Sequence, residues 1–324
     1  MPVRLDCTLI PIRAARLPEV REMTKIRRRF RQLVARPGLV VMPGAYDALS
    51  ARLIEAAGFE AVGAGGYAAI GSMLGEADGG QSNLRDYADH YARIAGAVSL
   101  PVLADADTGF GGTGNVRQMV RAFEAAGVAA ILFSDQAYPN RCGYLPGKQV
   151  VPVETMLSRI LAALDARRDP DLVIIARTDI LALEGLNAAV DRCRLFLEAG
   201  ADLAKPQGVD TPEGIRRVVA EVPCPHLATQ SQAAGKRHLG WDELEAIGVA
   251  GVTLPSVSLF AAAQGVRLAL DQARRERSLA GLGDRLIPLD DYYRVVGLDD
   301  QNAREQRFDE TAAALAKAKG ARRG

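Results

Sequence analysis

Histidine, cysteine and tryptophan are scarce in this chain: its 324 residues include three His, four Cys and one Trp. The cysteines, Cys7, Cys142, Cys193 and Cys224, lie far apart, with no CxxC and no Cys/His pair at metal-binding spacing. That excludes a cysteine-built metal site and reads as reduced thiols in a cytoplasmic protein. An excess of one charge is missing as well. Forty Lys plus Arg face 39 Asp plus Glu, a formal net charge of +1. Such a balance argues against nucleic acid or a membrane surface as the main partner. No apolar run approaches the ~18 residues that would span a bilayer. The apolar patch at residues 8–12 is short and flanked by Arg4, Asp6, Arg13 and Arg16, so no secretory leader is expected.

What is present is ordinary for a soluble enzyme: 48% hydrophobic and 24% charged residues. Short apolar runs alternate with longer helical patterns. The runs at 39–42, 61–64, 101–105, 129–133, 172–177, 202–205, 226–229 and 251–254 read as strands buried on both faces, as in a parallel sheet. Amphipathic stretches at 46–57, 84–97, 115–126, 154–166, 188–199 and 242–247 lie between them. Gly58, Gly127, Gly200 and Gly248 each stand just past a helix and just before a strand, where glycine takes the left-handed C′ conformation cheaply. Eight strand–helix units predict an α/β fold of the (β/α)8 TIM-barrel type. A doubly wound open sheet fits less well, because no glycine-rich phosphate fingerprint follows the first strand. The expected organisation is a catalytic barrel with an N-terminal helix over 1–272 and a helical C-terminal extension over 273–324.

Catalytic residues of such barrels come from the C-terminal ends of strands and the loops that follow. At the end of the third strand, Asp105 and Asp107 lie two residues apart and would point the same way if the strand continued. Their hard oxygens, followed by glycines, suit Mg²⁺; capping of the next helix is the plainer use of the same residues. After the fourth strand comes a long polar loop containing Arg141 and Cys142, where the thiol is either an acid or nucleophile, or inert. At the end of the fifth strand, Arg177 is placed to hold a carboxylate bidentately, or else to pair with a neighbouring barrel carboxylate.

These motifs, in this order, resemble the isocitrate lyase and phosphoenolpyruvate mutase superfamily, most nearly its methylisocitrate lyase-like and carboxyphosphonoenolpyruvate mutase-like branch. The matching pieces run from Val41-Met42-Pro43-Gly44-Ala45-Tyr46-Asp47-Ala48 to about Phe260. They include Leu74-Gly75-Glu76-Ala77-Asp78-Gly79, Asp105-Ala106-Asp107-Thr108-Gly109-Phe110-Gly111, Asp135-Gln136, Arg141-Cys142-Gly143, Ile175-Ala176-Arg177-Thr178-Asp179 and Glu184-Gly185-Leu186. The resemblance implies a barrel that binds Mg²⁺ (Mn²⁺ being the alternative) and a small 2-oxo or 2-hydroxy carboxylate. It makes Asp107 the main metal-side carboxylate, with Asp105 and Asp78 supporting through water. It makes Cys142 the acid that protonates the departing carbanion, and Arg177 the holder of a substrate carboxylate. Gly65, Gly66 and Tyr67 correspond to the stretch that binds the oxo-acid end. Arg141, Gly143, Gln207 and Thr229 complete the implied substrate contacts, and a homotetramer with exchanged terminal helices is implied as well.

The departures from the family pattern are specific. Its Lys-Arg-Cys-Gly-His loop reads Asn140-Arg141-Cys142-Gly143-Tyr144 here, and its Glu-Asp-Gln reads Ser134-Asp135-Gln136. Its glutamate after the sixth strand appears as Gln207, and the Asn and Glu of its seventh strand appear as Thr229 and Gln232. Its aromatic and Ser or Thr before the glycine pair appear as Gly63 and Gly65. With clamps for a tricarboxylate lost, the expectation is a Mg²⁺-dependent carbon–carbon lyase with an altered, smaller or more apolar 2-hydroxy acid substrate. The alternatives are an oxaloacetate-type decarboxylase, a phosphonopyruvate hydrolase or mutase, and a non-catalytic ligand-binding barrel. Lys205, ending the sixth strand, would face the site if the register is right and could replace the cation lost at Asn140. His90 and His238 read as surface positions, His226 as packed, Trp241 as packed at its helix start, and Cys7, Cys193 and Cys224 as structural.

Overall fold

A computed structural model describes residues 20–141, 147–231 and 238–320. All eight apolar runs are strands, each within one residue of its expected bounds. They are β1 (Val40–Pro43), β2 (Val62–Ala64), β3 (Val102–Asp105), β4 (Ala130–Ser134), β5 (Val173–Thr178), β6 (Leu203–Pro206), β7 (Leu227–Thr229) and β8 (Gly251–Leu254). Every ladder is parallel. One runs β2-β3-β4-β5-β6 and the other β1-β8-β7, and a Gly44–Gly63 bridge joins them. No ladder joins β6 to β7 among the described residues. That seam is spanned by the backbone N–H of Ala204, which donates to Cys224 Sγ at 3.4 Å, and by Lys205 Nζ, which donates to Thr229 Oγ1 at 2.5 Å. The chain is a (β/α)8 barrel.

Helices α1 (Val20–Ala35), α2 (Ala48–Ala56), α3 (Gly66–Leu74), α4 (Leu84–Ala97), α5 (Thr113–Ala126), α6 (Val153–Ala166), α7 (Leu181–Glu198), α8 (Pro212–Glu221), α9 (Trp241–Ile247) and α10 (Val257–Glu276) accompany the strands. Gly127 and Gly248 end α5 and α9 in the left-handed region, at φ +90° and +95°, as their placement in the sequence requires. Along α4, Tyr87, His90, Tyr91 and Ile94 form one buried stripe at i, i+3, i+4, i+7 spacing. His90 is therefore a core residue, not the surface position expected of it. Burial pushes its pKa down. Trp241 opens α9 with its ring edge-on to Phe59, centroids 6.3 Å apart.

Helix α1 closes the N-terminal end of the barrel. Its Phe30, Leu33 and Val34 are buried against Val40 and Met42 of β1, Leu103 of β3 and Val173 of β5. On its polar side, Arg27 donates from Nε to Val128 O (3.1 Å), from Nη2 to Glu124 O (2.5 Å) and from Nη1 to Asp169 (2.9 Å). Arg31 reaches Asp171 O (3.1 Å), Pro170 O (2.8 Å), Leu172 O (3.2 Å) and Asp202 Oδ1 (2.8 Å). Two guanidinium forks thus satisfy carbonyls from the turns before β4 and β5 and the carboxylate before β6.

Beyond β8 the chain is less enclosed. The expected start of the extension at residue 273 falls inside α10, which buries none of its residues. Helix α11 (Leu289–Val296) returns to α2, where Arg52 Nη1 donates to Val295 O at 3.2 Å. Helix α12 (Leu298–Gly320) follows, with Phe308 and Leu315 exposed. Among the described residues no helix is long and apolar enough to cross a membrane.

Candidate functional site at the C-terminal end of the barrel

One cavity of about 120 Å³ opens at the C-terminal end of the strands. Its wall carries Asp78, Asp105, Gly65, Gly66 and Tyr67 on the β2–β3 side. Arg177, Lys205, Gln207 and Thr229 stand on the β5–β7 side, and Asn140 and Arg141 overhang it. The apolar part of the wall comes from Ala64, Leu103, Leu132 and Pro255. Residues scattered over more than 190 positions of sequence are thereby brought together, as the strand pattern predicted.

Strand β3 ends at Asp105, and Asp107 takes a left-handed conformation at φ +48°. The two carboxylates therefore do not project as neighbours on a continuing strand; the chain turns between them. Asp105 faces the cavity, and its Oδ1 accepts the Asp107 N–H at 3.1 Å. Asp107 lies one layer behind, outside the cavity wall, accepting from Asn140 Nδ2 at 2.9 Å. Of the three carboxylates expected at the metal end, Asp105 and Asp78 line the cavity. Neither Asp caps the next helix, whose N-cap is Gly112.

Gly66 explains how these groups crowd together. A Cβ there would sit 3.1 Å from both Asp107 Oδ1 and the Tyr87 hydroxyl, and 3.7 Å from Asp105 Oδ2. Glycine lets the first turn of α3 press against the carboxylates, and helix N-termini favour negative charge. Helix α3 itself was not legible in the sequence, because Gly65, Gly66 and Gly71 lower its intrinsic propensity.

The electrostatics are strained in one direction. Burial, then the Asp105 and Asp78 charges, push Asp107 up to about 8. Burial followed by Asp105 raises Asp78, and burial raises Asp105 against the pull of Arg177 and the neighbouring backbone N–H groups. Asn140 Oδ1 is also buried without a hydrogen-bond partner. Three buried carboxylates, two of them raised further by the Asp105 charge, stand beside an orphaned carbonyl oxygen and make a hard-oxygen donor set that fits Mg²⁺. Among the described residues no three His, Cys, Asp or Glu side chains converge tightly enough to hold a metal by themselves. A cation there would accordingly take one or two carboxylates and keep water, which is the habit of Mg²⁺.

Across the cavity, Arg177 makes the barrel ion pair that the sequence left open while also facing the cavity. It lines the cavity, and its guanidinium forks onto Asp179 at 2.8 and 3.0 Å. Lys148 Nζ reaches the same carboxylate at 3.0 Å. Burial would raise Asp179, but Arg177 and Lys148 together hold it below the usual carboxylate range. Asp135 braces this cluster from behind, accepting from Thr178 Oγ1 (2.7 Å), the Asp179 N–H (3.0 Å) and Arg192 Nη1 (2.8 Å). The β5–β6 register pairs Arg177 directly with Lys205, so the lysine points inward as the strand reading required.

Gln136 clips the start of the long loop. Its Oε1 accepts the Arg141 N–H at 2.9 Å and its Nε2 donates to Arg141 O at 3.0 Å. Cys142, Gly143, Tyr144 and Gln232 lie outside the described residues, as does Cys7. Burial raises the thiols of Cys193 and Cys224, in keeping with structural roles. Burial and then Lys205 press His226 down to about 3, which keeps it neutral and packed.

Comparison with known proteins places the chain in a family. A family model for phosphoenolpyruvate phosphomutase matches residues 30–274. The chain is 37% identical over 283 residues to a probable 2-methylisocitrate lyase of Corynebacterium glutamicum, covering 87% of this chain and 92% of that one. It is 34% identical over 271 residues to the 2,3-dimethylmalate lyase of Eubacterium barkeri, covering 84% and 94%. Among solved structures, oxaloacetate acetylhydrolase in complex with 3,3-difluorooxalacetate superposes with a TM-score of 0.82 at 31% identity, covering 90% and 98%. With its barrel, its carboxylate cluster and its matched motifs all of one kind, the chain belongs to the phosphoenolpyruvate mutase/isocitrate lyase superfamily.

Proposed function

We propose that the chain is a Mg²⁺-dependent carbon–carbon lyase that splits an alkyl-substituted, malate-type 2-hydroxy dicarboxylate into a 2-oxo acid and a carboxylate. The observation that carries this is a single cavity with an acidic side at Asp78 and Asp105, a cationic side at Arg177, and an apolar wall of Leu103, Leu132 and Pro255 between them. Similarity to lyases of dimethylmalate and methylisocitrate supports the reaction type. The small cavity and the neutral Gln207 and Thr229 favour the smaller substrate.

Asp105 and Asp78 would hold Mg²⁺, with Asp107 and Asn140 behind them. When bound, the cation supplies Lewis-acid stabilisation of negative charge developing on substrate oxygen. The N-terminal turn of α3, at Gly65, Gly66 and Tyr67, lines the cavity and would turn its positive end toward a substrate carboxylate, with the Gly66 N–H itself held by Asp105. Arg177, fixed by Asp179, binds a carboxylate without having to reorganise. In the reaction the C2 hydroxyl loses its proton and becomes the carbonyl of the oxo acid. The C2–C3 bond breaks with its electron pair passing to C3, where the adjacent carboxylate delocalises it. A proton delivered to C3 then completes the second product, and Cys142 is the proposed donor. The exposed apolar side chains of α10 and α12 support a homo-oligomer built through them.

The test is a product screen by mass spectrometry. Malate, 2-methylmalate, 2,3-dimethylmalate, methylisocitrate, isocitrate and oxaloacetate are each presented with Mg²⁺ and with EDTA. Metal-dependent release of a 2-oxo acid from a substituted malate, lost in Cys142→Ser, is the expected result. No carbon–carbon fragmentation of any hydroxy dicarboxylate would overturn it. A second reading, hydrolysis of an oxaloacetate-like 2-oxo dicarboxylate, is favoured by the structural likeness to oxaloacetate acetylhydrolase. Oxalate released from oxaloacetate, with the hydroxy acids untouched, would select that reading.

A further inference from the structure

Lys205 is the buried charged group of the cavity that the reaction above does not use. It stands on β6 at 3% exposure, directly paired with Arg177 on β5, and both line the cavity. Among the described residues its one hydrogen bond is to Thr229 Oγ1, and no carboxylate lies within ion-pair distance of it. The hydroxyls beyond it form a directed chain. Thr253 Oγ1 lies 3.3 Å from Ala228 O, to which it donates, and 3.0 Å from Thr229 Oγ1, from which it accepts. Thr229 is left to accept from Lys205, so the amine is aimed and its remaining positions are free for a ligand.

The groups facing Lys205 are Arg177 of β5 and Asp179 just after it, Asp105 of β3, Cys193 of α7, and Thr229 of β7 with His226 just before it. Asp179 is already shared between Arg177 and Lys148. Two cations side by side in a buried wall, with their nearest anion already committed, form a place an anion would fill.

We propose that Lys205 and Arg177 together form a two-armed subsite for the far carboxylate of the ligand, and that Lys205 sets the preference for dicarboxylates over monocarboxylates. This rests on the reading of the cavity as a hydroxy-acid site, whose metal end lies across the cavity at Asp78 and Asp105. Burial, reinforced by Arg177, lowers the amine to about 7. An arriving carboxylate favours the charged form, so binding above neutrality draws in a proton.

The experiment compares malate with lactate, which shares the hydroxy-acid end but lacks the far carboxylate. Calorimetry on the Mg²⁺-loaded full chain gives the ratio of the two affinities for wild type, Lys205→Met and Lys205→Arg. One charge-assisted contact predicts that Lys205→Met lowers malate affinity about tenfold or more, moves lactate less than about twofold, and abolishes proton uptake on malate binding at pH 8. Lys205→Arg should restore most of the preference. Because Lys205 also spans the β6–β7 seam, melting curves accompany each variant. Lys205→Gln, which keeps a donor for Thr229 and drops the charge, replaces Lys205→Met if that variant does not fold. An unchanged malate-to-lactate ratio, or equal losses for both acids, overturns the subsite while leaving the hydroxy-acid reading intact. Failure of wild type to bind either acid overturns both.

Discussion

The two ends of this barrel are built to opposite rules. At the N-terminal end, α1 lays an apolar plug into the strands, and two of its guanidiniums, Arg27 and Arg31, each find several acceptors at once. At the C-terminal end, carboxylates face one another, Asp107 sits in a backbone region unusual for a residue with a side chain, and Asn140 Oδ1 has no partner. The arginines of α1 are satisfied within the chain, whereas the proposed cation and anion would satisfy the groups at the other end. Unfavourable geometry of this kind persists where the surrounding structure enforces it, and it marks sites of function.

The contrast makes substitutions at the two ends separable. Asp105→Asn should lower turnover by about a thousandfold or more, by weakening the metal end. It should also raise the melting temperature of the metal-free chain, because it removes the buried charge that raises both Asp78 and Asp107. A drop in both activity and melting temperature would erase the distinction between the ends. Arg27→Ala should do the reverse. Losing a buried fork that binds Asp169 and two carbonyls costs about 3 kcal/mol, read as a lower melting temperature with kcat unchanged.

Acidity sharpens the comparison further. The Asp107 pKa is about 8 in the fold, against an ordinary value near 3.8. The folded chain therefore holds a proton that the unfolded chain has released, and metal-free stability falls as pH rises through that interval. Mg²⁺ should accordingly raise the melting temperature more at pH 8 than at pH 6; an equal rise at both would remove Asp107 from the cation's surroundings. The smallest effect belongs to the exposed rim of the well-satisfied end. Arg28, paired with Asp171 at 3.1 Å but 61% exposed, should change stability by no more than about 0.5 kcal/mol when replaced by Ala.

The fold was largely legible because its signals are local. Parallel strands buried on both faces read as unbroken apolar runs, and the glycines after α5 and α9 punctuate them. The end of β6 falls where the apolar run predicts it, and with that register Lys205 faces the cavity. The reading of Asp105 and Asp107 as neighbours on one face failed for an equally physical reason. It assumed that the strand continued, whereas β3 stops at Asp105 and Asp107 turns left-handed, a conformation Asp tolerates better than most side chains but does not by itself announce. His90 was misplaced although Tyr87, Tyr91 and Ile94 already mark its face of α4. A lone polar ring on a helix reads as surface, and only the spacing of its apolar neighbours puts it inside. The bracing of Arg177 by Lys148 and Asp135 joins residues from separate strands and loops, so no local pattern could announce it.

The docking of α1 also bears on the order in which the molecule can assemble. The acceptors its arginines grip lie far along the chain, with Arg31 and Asp202 separated by 171 positions. The first helix described is thus among the last to find its complete set of partners, since β4 to β6 must exist before those carbonyls do. During synthesis on the ribosome, its apolar face would wait uncovered while more than half of the barrel is made. Contacts of such long range slow folding and leave hydrophobic surface open to wrong partners. The element that seals the finished barrel is also the one a nascent chain has to keep out of trouble longest.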